Sequence, residues 1–437
     1  MGALLRGSLL VAAVLQDTRL VGSLAAQQDA RFLAGVSTSA TSGQRWKVEK
    51  TRTFDGVIGI TNVDRPHWPR PRLTCARAAV CTTINVLTAP IELVANASDW
   101  CLIIVGDAIT PEKEYRNLAR QKPDSVVYLS LEDQHKLPYE TAKAMPERHF
   151  GRKNVGYIYA VHAGATQIFD FDDDNALLAP TSLDGLTPST PVRLALGKGP
   201  VNPYPWFGAP KAWPRGLPLD SLNSNNATIG PKTSVTLGAI QGLAQHDPDV
   251  DAIYRLAPRS ALALPFFFET KSVKENLIAL SPQTMAPFNA QATLWFHGAF
   301  AALYLPTTVH GRVSDIWRSY VTQAAFRCQG LSLAFSPPVV EQDRNAHDYM
   351  ADFMSERPLY EEAGALVAYL GAWACPADKS LASAVEHLFV DMYERGFLEV
   401  QDVGRVQAFL RDLVHVAGGP AHARHRGRGG RRSGGRA

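Results

Sequence analysis

From Cys81 to Asn175, apolar runs and amphipathic stretches take turns along the chain, and each predicts an element. Thr82-Thr-Ile-Asn-Val-Leu87 is a β-branched run closed by Thr88-Ala-Pro90, and a short helical stretch follows to Ala97. Trp100-Cys-Leu-Ile-Ile-Val105 is apolar at every position, the pattern of a strand covered on both faces, and Gly106-Asp107 ends it. Ser125-Val-Val-Tyr-Leu-Ser130 predicts a third strand. Between His149 and Gly164, Val155, Ile158 and Tyr159 fall on one helical face with the amphipathic His162, and Gly164 supplies the stop. Ile168-Phe-Asp-Phe-Asp-Asp-Asp-Asn175 then runs from an apolar-alternating strand straight into carboxylates. Strands alternating with helices, with polar residues gathered at strand C-terminal ends, predict an α/β fold. Its sheet is open, mainly parallel and flanked by helices, and binds its ligand at those ends.

From Ala176 to about Leu305 the chain is loop-rich, with Trp206-Phe-Gly-Ala-Pro210 and Trp213-Pro-Arg-Gly-Leu-Pro218. Such Pro/Trp/Arg loops either build an acceptor pocket, since sugars stack on aromatic faces, or simply pack. Asp247-Pro-Asp-Val-Asp251 precedes Ala252-Ile-Tyr-Arg255, where acidic residues complement a helix N-terminus. After Pro306 the pattern turns helical. Helices are predicted over Val309 to Gln329, around His347 to Met354, over Asp378 to Arg395 and over Val400 to Val416. In the third, Leu381, Val385, Leu388, Phe389 and Met392 form one apolar face behind an Asp378 cap, which marks core. The resulting organisation is a leader and linker (1–50), a Pro-rich connection (51–80), an α/β domain (81–310), a helical region (311–416) and a disordered tail (417–437).

The 437 residues are 46% apolar and only 19% charged, below the roughly 25% typical of soluble domains, so the core is large. Net charge is +3, but Arg424 to Ala437 carry six arginines and no acid; without them the body stands at −3. A Gly/Arg tail on a slightly acidic body does not predict a nucleic-acid-binding protein. Five cysteines lack zinc spacing and predict buried small side chains or one or two bridges. The apolar run near the N-terminus, ended by Gln16-Asp17, is too short to span a bilayer but has the length of a signal h-region. Asn96-Ala-Ser98 and Asn226-Ala-Thr228 are glycosylation sequons. No Gly-x-Gly-x-x-Gly, Walker loop or Gly-x-Ser-x-Gly occurs, so dinucleotide, P-loop and hydrolase chemistry lack their signatures.

The carboxylates carry the strongest chemical signal. Adjacent carboxylates repel, more so where the dielectric is low, and a hard cation such as Mn²⁺ or Mg²⁺ removes that cost while leaving places for phosphate oxygens. If the segment stays extended, Asp172 and Asp174 share a face as metal ligands and Asp173 points away. The plain alternative is a solvated acidic turn. Arg152 and Lys153 open the preceding helix, where the macrodipole disfavours cations, which suggests an anion such as phosphate held there.

Several blocks in order resemble the STELLO family of glycosyltransferase-like proteins. They include Val105-Gly-Asp-Ala-Ile-Thr-Pro111, Tyr128-Leu-Ser-Leu-Glu-Asp-Gln134, Arg152-Lys-Asn-Val-Gly-Tyr157 and Asp172-Asp-Asp-Asn175. Trp213-Pro-Arg-Gly216, Asp247-Pro-Asp-Val-Asp-Ala-Ile253, Pro287-Phe-Asn289, Pro306-Thr-Thr308, Arg312-Val-Ser-Asp-Ile-Trp-Arg318 and Arg344-Asn-Ala-His347 continue the series. The resemblance implies a GT-A-like nucleotide-sugar domain over 81–310, residence at the Golgi membrane or lumen, and association with polysaccharide synthase assembly. On that reading the chain is a metal-dependent glycosyltransferase with a nucleotide-sugar donor and a glycan or protein acceptor. Asp172 and Asp174 hold the cation, Arg152 and Lys153 add charge to the diphosphate, and Thr88 and Asp107 hold the nucleoside. Asp315 is the candidate base, with an ion pair to Arg312 or Arg318 as its structural alternative. Trp213, Arg215, Asn289, Trp317 and Arg318 are the acceptor-side candidates. The competing expectation is a non-catalytic scaffold that keeps the fold and aids assembly of a synthase complex.

Overall fold

The alternation at the start of the chain produces the parallel half of the sheet. Its elements are β1 (Arg77–Thr82), α1 (Ala89–Ala95), β2 (Cys101–Val105), α2 (Glu112–Gln121), β3 (Val126–Leu129), α3 (Leu131–Lys136), α4 (Glu140–Ala144), α5 (Lys153–His162) and β4 (Gln167–Phe171). The computed structural model describes residues 68–417 except 224–226, 259–264, 344–347 and 377–379, all in one compact unit. The leader, the Asn226 sequon, the Arg344–His347 block, Asp378 and the Gly/Arg tail lie outside the described residues. The strand order is β3-β2-β1-β4, all parallel.

β1 begins five residues earlier than the β-branched run predicts. Its small side chains Ala78, Ala79 and Cys81 are fully buried between β2 and β4, whereas Ile84 and Val86 stand 53% and 61% exposed in the loop after it. Strand pairing and burial decide here, and β-propensity yields to them. The small residues also let α5 come close. A Cβ at Gly156 of α5 would lie 2.6 Å from the Val80 side chain and 2.7 Å from that of Val105.

The rest of the sheet is mixed. It comprises β5 (Asn175–Leu177), β6 (Val192–Leu196), β8 (Thr228–Thr233), β9 (Thr236–His246), β10 (Ile278–Leu280), β12 (Ala292–Phe296) and β13 (Leu331–Gln342), while β7 (Gly199–Pro200) and β11 (Thr284–Met285) pair separately. Beyond β4 the order is β12-β9-β13-β10-β6-β8, with β5 on β13. Among these described strands, β1 to β4, β8, β9 and β13 run one way and β5, β6, β10 and β12 the other, so the sheet is mostly parallel. β13 is the element that the helical reading after Pro306 misses. Pro337-Pro338 argues against a central strand, yet β13 lies between β9 and β10, with register shifts at Ser336/Pro338 and Pro338/Val340 that absorb both prolines.

The helices flank this sheet: α6 (Ala252–Leu256), α7 (Gly311–Gln329), α8 (Tyr349–Ser355), α9 (Arg357–Ala372), α10 (Leu381–Glu394) and α11 (Val400–Ala417). The periodic face of α10 is buried as its pattern predicts, capped by the Ser380 hydroxyl on the Ser383 amide. α11 is locked to the sheet domain by Asp402. Its carboxylate accepts from the Tyr304 hydroxyl and from both the amides and the hydroxyls of Thr307 and Thr308, which explains the Pro-Thr-Thr block. Disulfides join Cys75 to Cys101 and Cys328 to Cys375, and Cys81 is free and buried. Among the described residues no helix is long and apolar enough to cross a membrane.

Candidate functional site

The winding of the sheet marks one crevice. From β1 the chain builds β2 and β3 on one side and then places β4 on the other, so the direction reverses between β1 and β4. Open α/β sheets bind ligands outside the strand C-termini at such a point. Here the loop after β1 meets the acidic segment after β4. That segment is a turn, closed by the Asn175 amide on the Asp172 carbonyl at 3.2 Å, because Asp and Asn favour turns over continued strand. The alternation expected for Asp172, Asp173 and Asp174 therefore does not hold, and each carboxylate has its own surroundings. Asp173 does not point away. It accepts from Thr83 Oγ1 at 2.5 Å and Asn85 Nδ2 at 3.0 Å, and its carbonyl accepts from Thr88 Oγ1 at 2.5 Å. Asp174 accepts from Asn175 Nδ2 at 2.6 Å and from Gln342 Nε2 at 3.0 Å.

Lys153 reaches this cluster and Arg152 does not. The buried Lys153 ammonium contacts Asp170 Oδ1 at 2.7 Å, Asp172 Oδ1 at 3.0 Å and the Ala290 carbonyl at 2.9 Å. The ammonium hydrogen-bonds Asp172 and the Ala290 carbonyl and pairs electrostatically with Asp170, so Lys153 acts as a strut for Asp172 and offers a phosphate its charge. Arg152, 1% exposed, donates instead to Gln134 Oε1 at 2.7 Å and the Met145 carbonyl at 3.0 Å, and burial lowers its pKa. Neighbouring residues on a helix point about 100° apart, which separates a pair that looks like one unit in sequence. Asp107 is spent on backbone: it accepts from the amides of Ala108, Arg148 and His149 and fastens the segment that enters α5. Thr88, likewise, is tied to Asp173. Asp170, which the sequence singles out only as the carboxylate preceding the acidic run, is the hub, with Arg318 on its other oxygen at 2.9 Å.

The donor set fits a hard cation. Burial raises the Asp172 carboxyl, Lys153 lowers it and Asp174 raises it again, which leaves it at about 7; the last of these is the repulsion that a cation relieves. The fully buried Asn175 keeps its Oδ1 without a partner beside Asp174. Among the described residues no three His, Cys, Asp or Glu side chains form a metal cage. Two carboxylates and an amide oxygen leave places for phosphate oxygens, as Mg²⁺-type sites do.

The acceptor-side candidates form a second, buried cluster. Arg215 holds Asp249 at 2.8 and 2.9 Å and Asp315 at 3.1 and 2.9 Å. Neither Arg312 nor Arg318 pairs with Asp315: Arg312 is bound to Glu356 and Arg318 to Asp170. Asn289 Nδ2 donates to Asp249 at 2.8 Å. Trp317 is fully buried with its ring edge against Phe397, a core contact. A cavity of about 20 Å³, room for one water, lies among Arg215, Asp249, Asn289 and Gln291. The two clusters are joined by amides. Asn289 donates to Gln291 Oε1 at 3.1 Å, Gln291 donates to Gln342 Oε1, and Gln342 donates to Asp174. Gln291 and Gln342 are the residues that sequence reading misses, since each is ordinary in its own segment, whereas Asp249 lies in the acidic cluster that reads as complementing a helix N-terminus.

Trp213 donates to Asp251 Oδ2 at 2.7 Å, while Asp251 Oδ1 caps α6 through the Tyr254 amide at 2.7 Å. Burial pushes the Asp251 carboxyl up to about 6. A raised folded pKa contributes stability that is present below about pH 4 and lost as pH rises through 6. Asp251→Asn should remove a pH dependence on the order of 2–3 kcal/mol between those limits, measured by urea unfolding at pH 4 and pH 7.

The family model of the STELLO glycosyltransferases matches residues 312–419, which begin at α7 and include β13. That stretch is no separate module, since it supplies Asp315, Arg318 and Gln342 to the two clusters. Two relatives from Arabidopsis thaliana, "Probable glycosyltransferase STELLO1" and "Probable glycosyltransferase STELLO2", are 29% and 31% identical over 348 and 349 residues. The alignments cover 75% of this chain and 43% of each relative, so the chain spans less than half of their length. Among solved structures, a mycobacterial protein is similar at 12% identity and TM-score 0.32, over 65% of this chain and 72% of that one. S. aureus TarS 1-349 with UDP-GlcNAc is similar at 10% identity and TM-score 0.28, over 79% and 73%. These two likenesses are too distant to bear on the site. The family domain and the relatives aligned over three quarters of the chain place it in the STELLO family of glycosyltransferases.

Proposed function

We propose that this chain transfers a glycosyl group from a nucleotide-sugar donor, with Mn²⁺ or Mg²⁺ held by Asp172 and Asp174 at the donor diphosphate. The observation that carries the reading is the acidic turn at the winding reversal between β1 and β4, tied through Asp173 to the loop after β1. When bound, the cation would neutralise charge on the leaving nucleotide. The protein's own part is positioning. Asp170 and Lys153 fix Asp172, Asn175 and Gln342 fix Asp174, and Thr83, Asn85 and Thr88 hold the neighbouring loop against the turn. The acceptor, a glycan or a protein hydroxyl, would approach from the α7 side. Two disulfides support residence in an oxidising compartment, in keeping with the Golgi lumen.

One observation favours the second reading, a non-catalytic scaffold in polysaccharide synthase assembly. Both oxygens of Asp315 are bonded to Arg215, so in this arrangement Asp315 is not poised to take a proton from an acceptor hydroxyl. The deciding experiment is calorimetric titration of a nucleotide-sugar panel with and without Mn²⁺, followed by transfer and hydrolysis assays. Asp174→Ala should abolish Mn²⁺-dependent binding. Asp173→Ala should also weaken it, by about 10-fold or more, because its two hydrogen bonds to a charged group are each worth about 1.5–3 kcal/mol. Metal-independent binding would sink the cation assignment. Binding without turnover of any donor would favour the scaffold.

A further inference from the structure

The geometry points to Asn175 as a third protein ligand for the cation at Asp172 and Asp174. This rests on the reading above and assigns a residue that a pair of carboxylates alone would not require. Asn175 opens β5 opposite Gln342 of β13, and its side chain is fully buried. Its amide orientation is fixed by its neighbour: Asp174 Oδ1 can only accept, so Nδ2 must face it, at 2.6 Å. That leaves Asn175 Oδ1 buried with no hydrogen-bond partner. Gln342 shows the contrast. It makes the same donor contact to the other Asp174 oxygen, but its own oxygen accepts from Gln291.

An orphaned buried carbonyl oxygen is costly and calls for a partner that donates or is positively charged. The surroundings decide which. The adjacent Asp174 carboxylate can only accept, and the Lys153 ammonium is directed at Asp170, Asp172 and the Ala290 carbonyl. The turn brings the residues together. With the Asn175 amide bonded to the Asp172 carbonyl, residues 172 and 175 are the first and last positions of a β-turn, whose Cα atoms lie within about 7 Å. A hard cation takes carboxylate and amide oxygens alike and uses a set of this kind with places left for a diphosphate. The turn that removes the strand alternation is thus what makes a three-oxygen site, from positions 172, 174 and 175.

The probe is Mn²⁺ alone, titrated into the intact chain and followed by the EPR signal of the free ion, with thermal melts confirming that each variant is folded. Asn175→Ala should weaken Mn²⁺ binding by about 10-fold or more. Asn175→Asp keeps an oxygen but loses the N–H donor to Asp174, and it should bind Mn²⁺ at least as tightly as the wild type. Wild-type affinity in Asn175→Ala would overturn the assignment. So would Asn175→Asp binding as weakly as Asn175→Ala, because the residue would then act only by holding Asp174. A wild type that takes up no Mn²⁺ yet binds a nucleotide sugar would remove the cation reading itself, and Asn175 with it.

Discussion

Arg215→Leu should destabilise the protein by about 3–5 kcal/mol, the cost of leaving buried carboxylates without their cation. Arg215 is 8% exposed, and its partners Asp249 and Asp315 are 9% and 8% exposed at the side chain, so water cannot replace the guanidinium. Arg215→Lys should recover only part of the loss, since an ammonium cannot match two carboxylates with a planar fork. Combining Arg215→Leu with Asp249→Asn and Asp315→Asn should recover more, because the unpaired charges are then gone. Urea unfolding at pH 7 reads all three. A loss below about 1 kcal/mol for Arg215→Leu would mean that the pair behaves as a solvated surface bridge. The result also separates stability from chemistry at Asp315. If Asp315→Asn lowers transfer by about 10²–10⁴-fold with donor binding and fold intact, Asp315 acts as the base after release from Arg215.

The periodic elements were legible because local pattern and tertiary role agree. β2 is apolar at all five positions and buried at all five, and α10 buries the face that its spacing predicts. β13 was not legible, because Pro337-Pro338 contradicts a central strand unless the register shifts that accommodate it are known. The site divides in the same way. An acidic run after an apolar strand announces a charged site at a strand end, and its placement at the winding reversal follows from the fold. What each carboxylate does depends on whether the chain stays extended or turns, and Asp172-Asp-Asp-Asn175 permits both. The partners are further beyond sequence. Arg152 ends the 3-10 turn Phe150–Arg152 and Lys153 opens α5, and the two side chains leave the backbone in different directions. Gln291 and Gln342 lie 51 residues apart and become one path only when β12, β9 and β13 align. Motif blocks located the residues, and distances in space reassigned several of their roles.

Asp170→Leu should be the most damaging single change, because it removes the carboxylate that two buried cations share. Asp170 has one oxygen on Lys153 at 2.7 Å and the other on Arg318 at 2.9 Å, and all three side chains are at most 1% exposed. Removing one partner of a buried pair costs about 3–5 kcal/mol, and here Lys153 and Arg318 are left facing each other as like charges. Lys153 keeps Asp172, but Arg318 keeps only neutral partners, the Tyr157 hydroxyl and the Leu303 and Asn289 carbonyls. Asp170→Leu should therefore yield little folded protein, and Asp170→Asn, which keeps the shape, should fold with a urea midpoint well below that of the wild type. Lys153→Met provides the contrast. It leaves Asp170 paired with Arg318, so its loss in stability should be smaller, but Asp172 loses its strut and Mn²⁺ uptake should fall. Stability following Asp170 and cation binding following Lys153 would show one hub serving both fold and site. A wild-type midpoint in Asp170→Asn would show that Arg318 and Lys153 find other partners, and the hub assignment would fail.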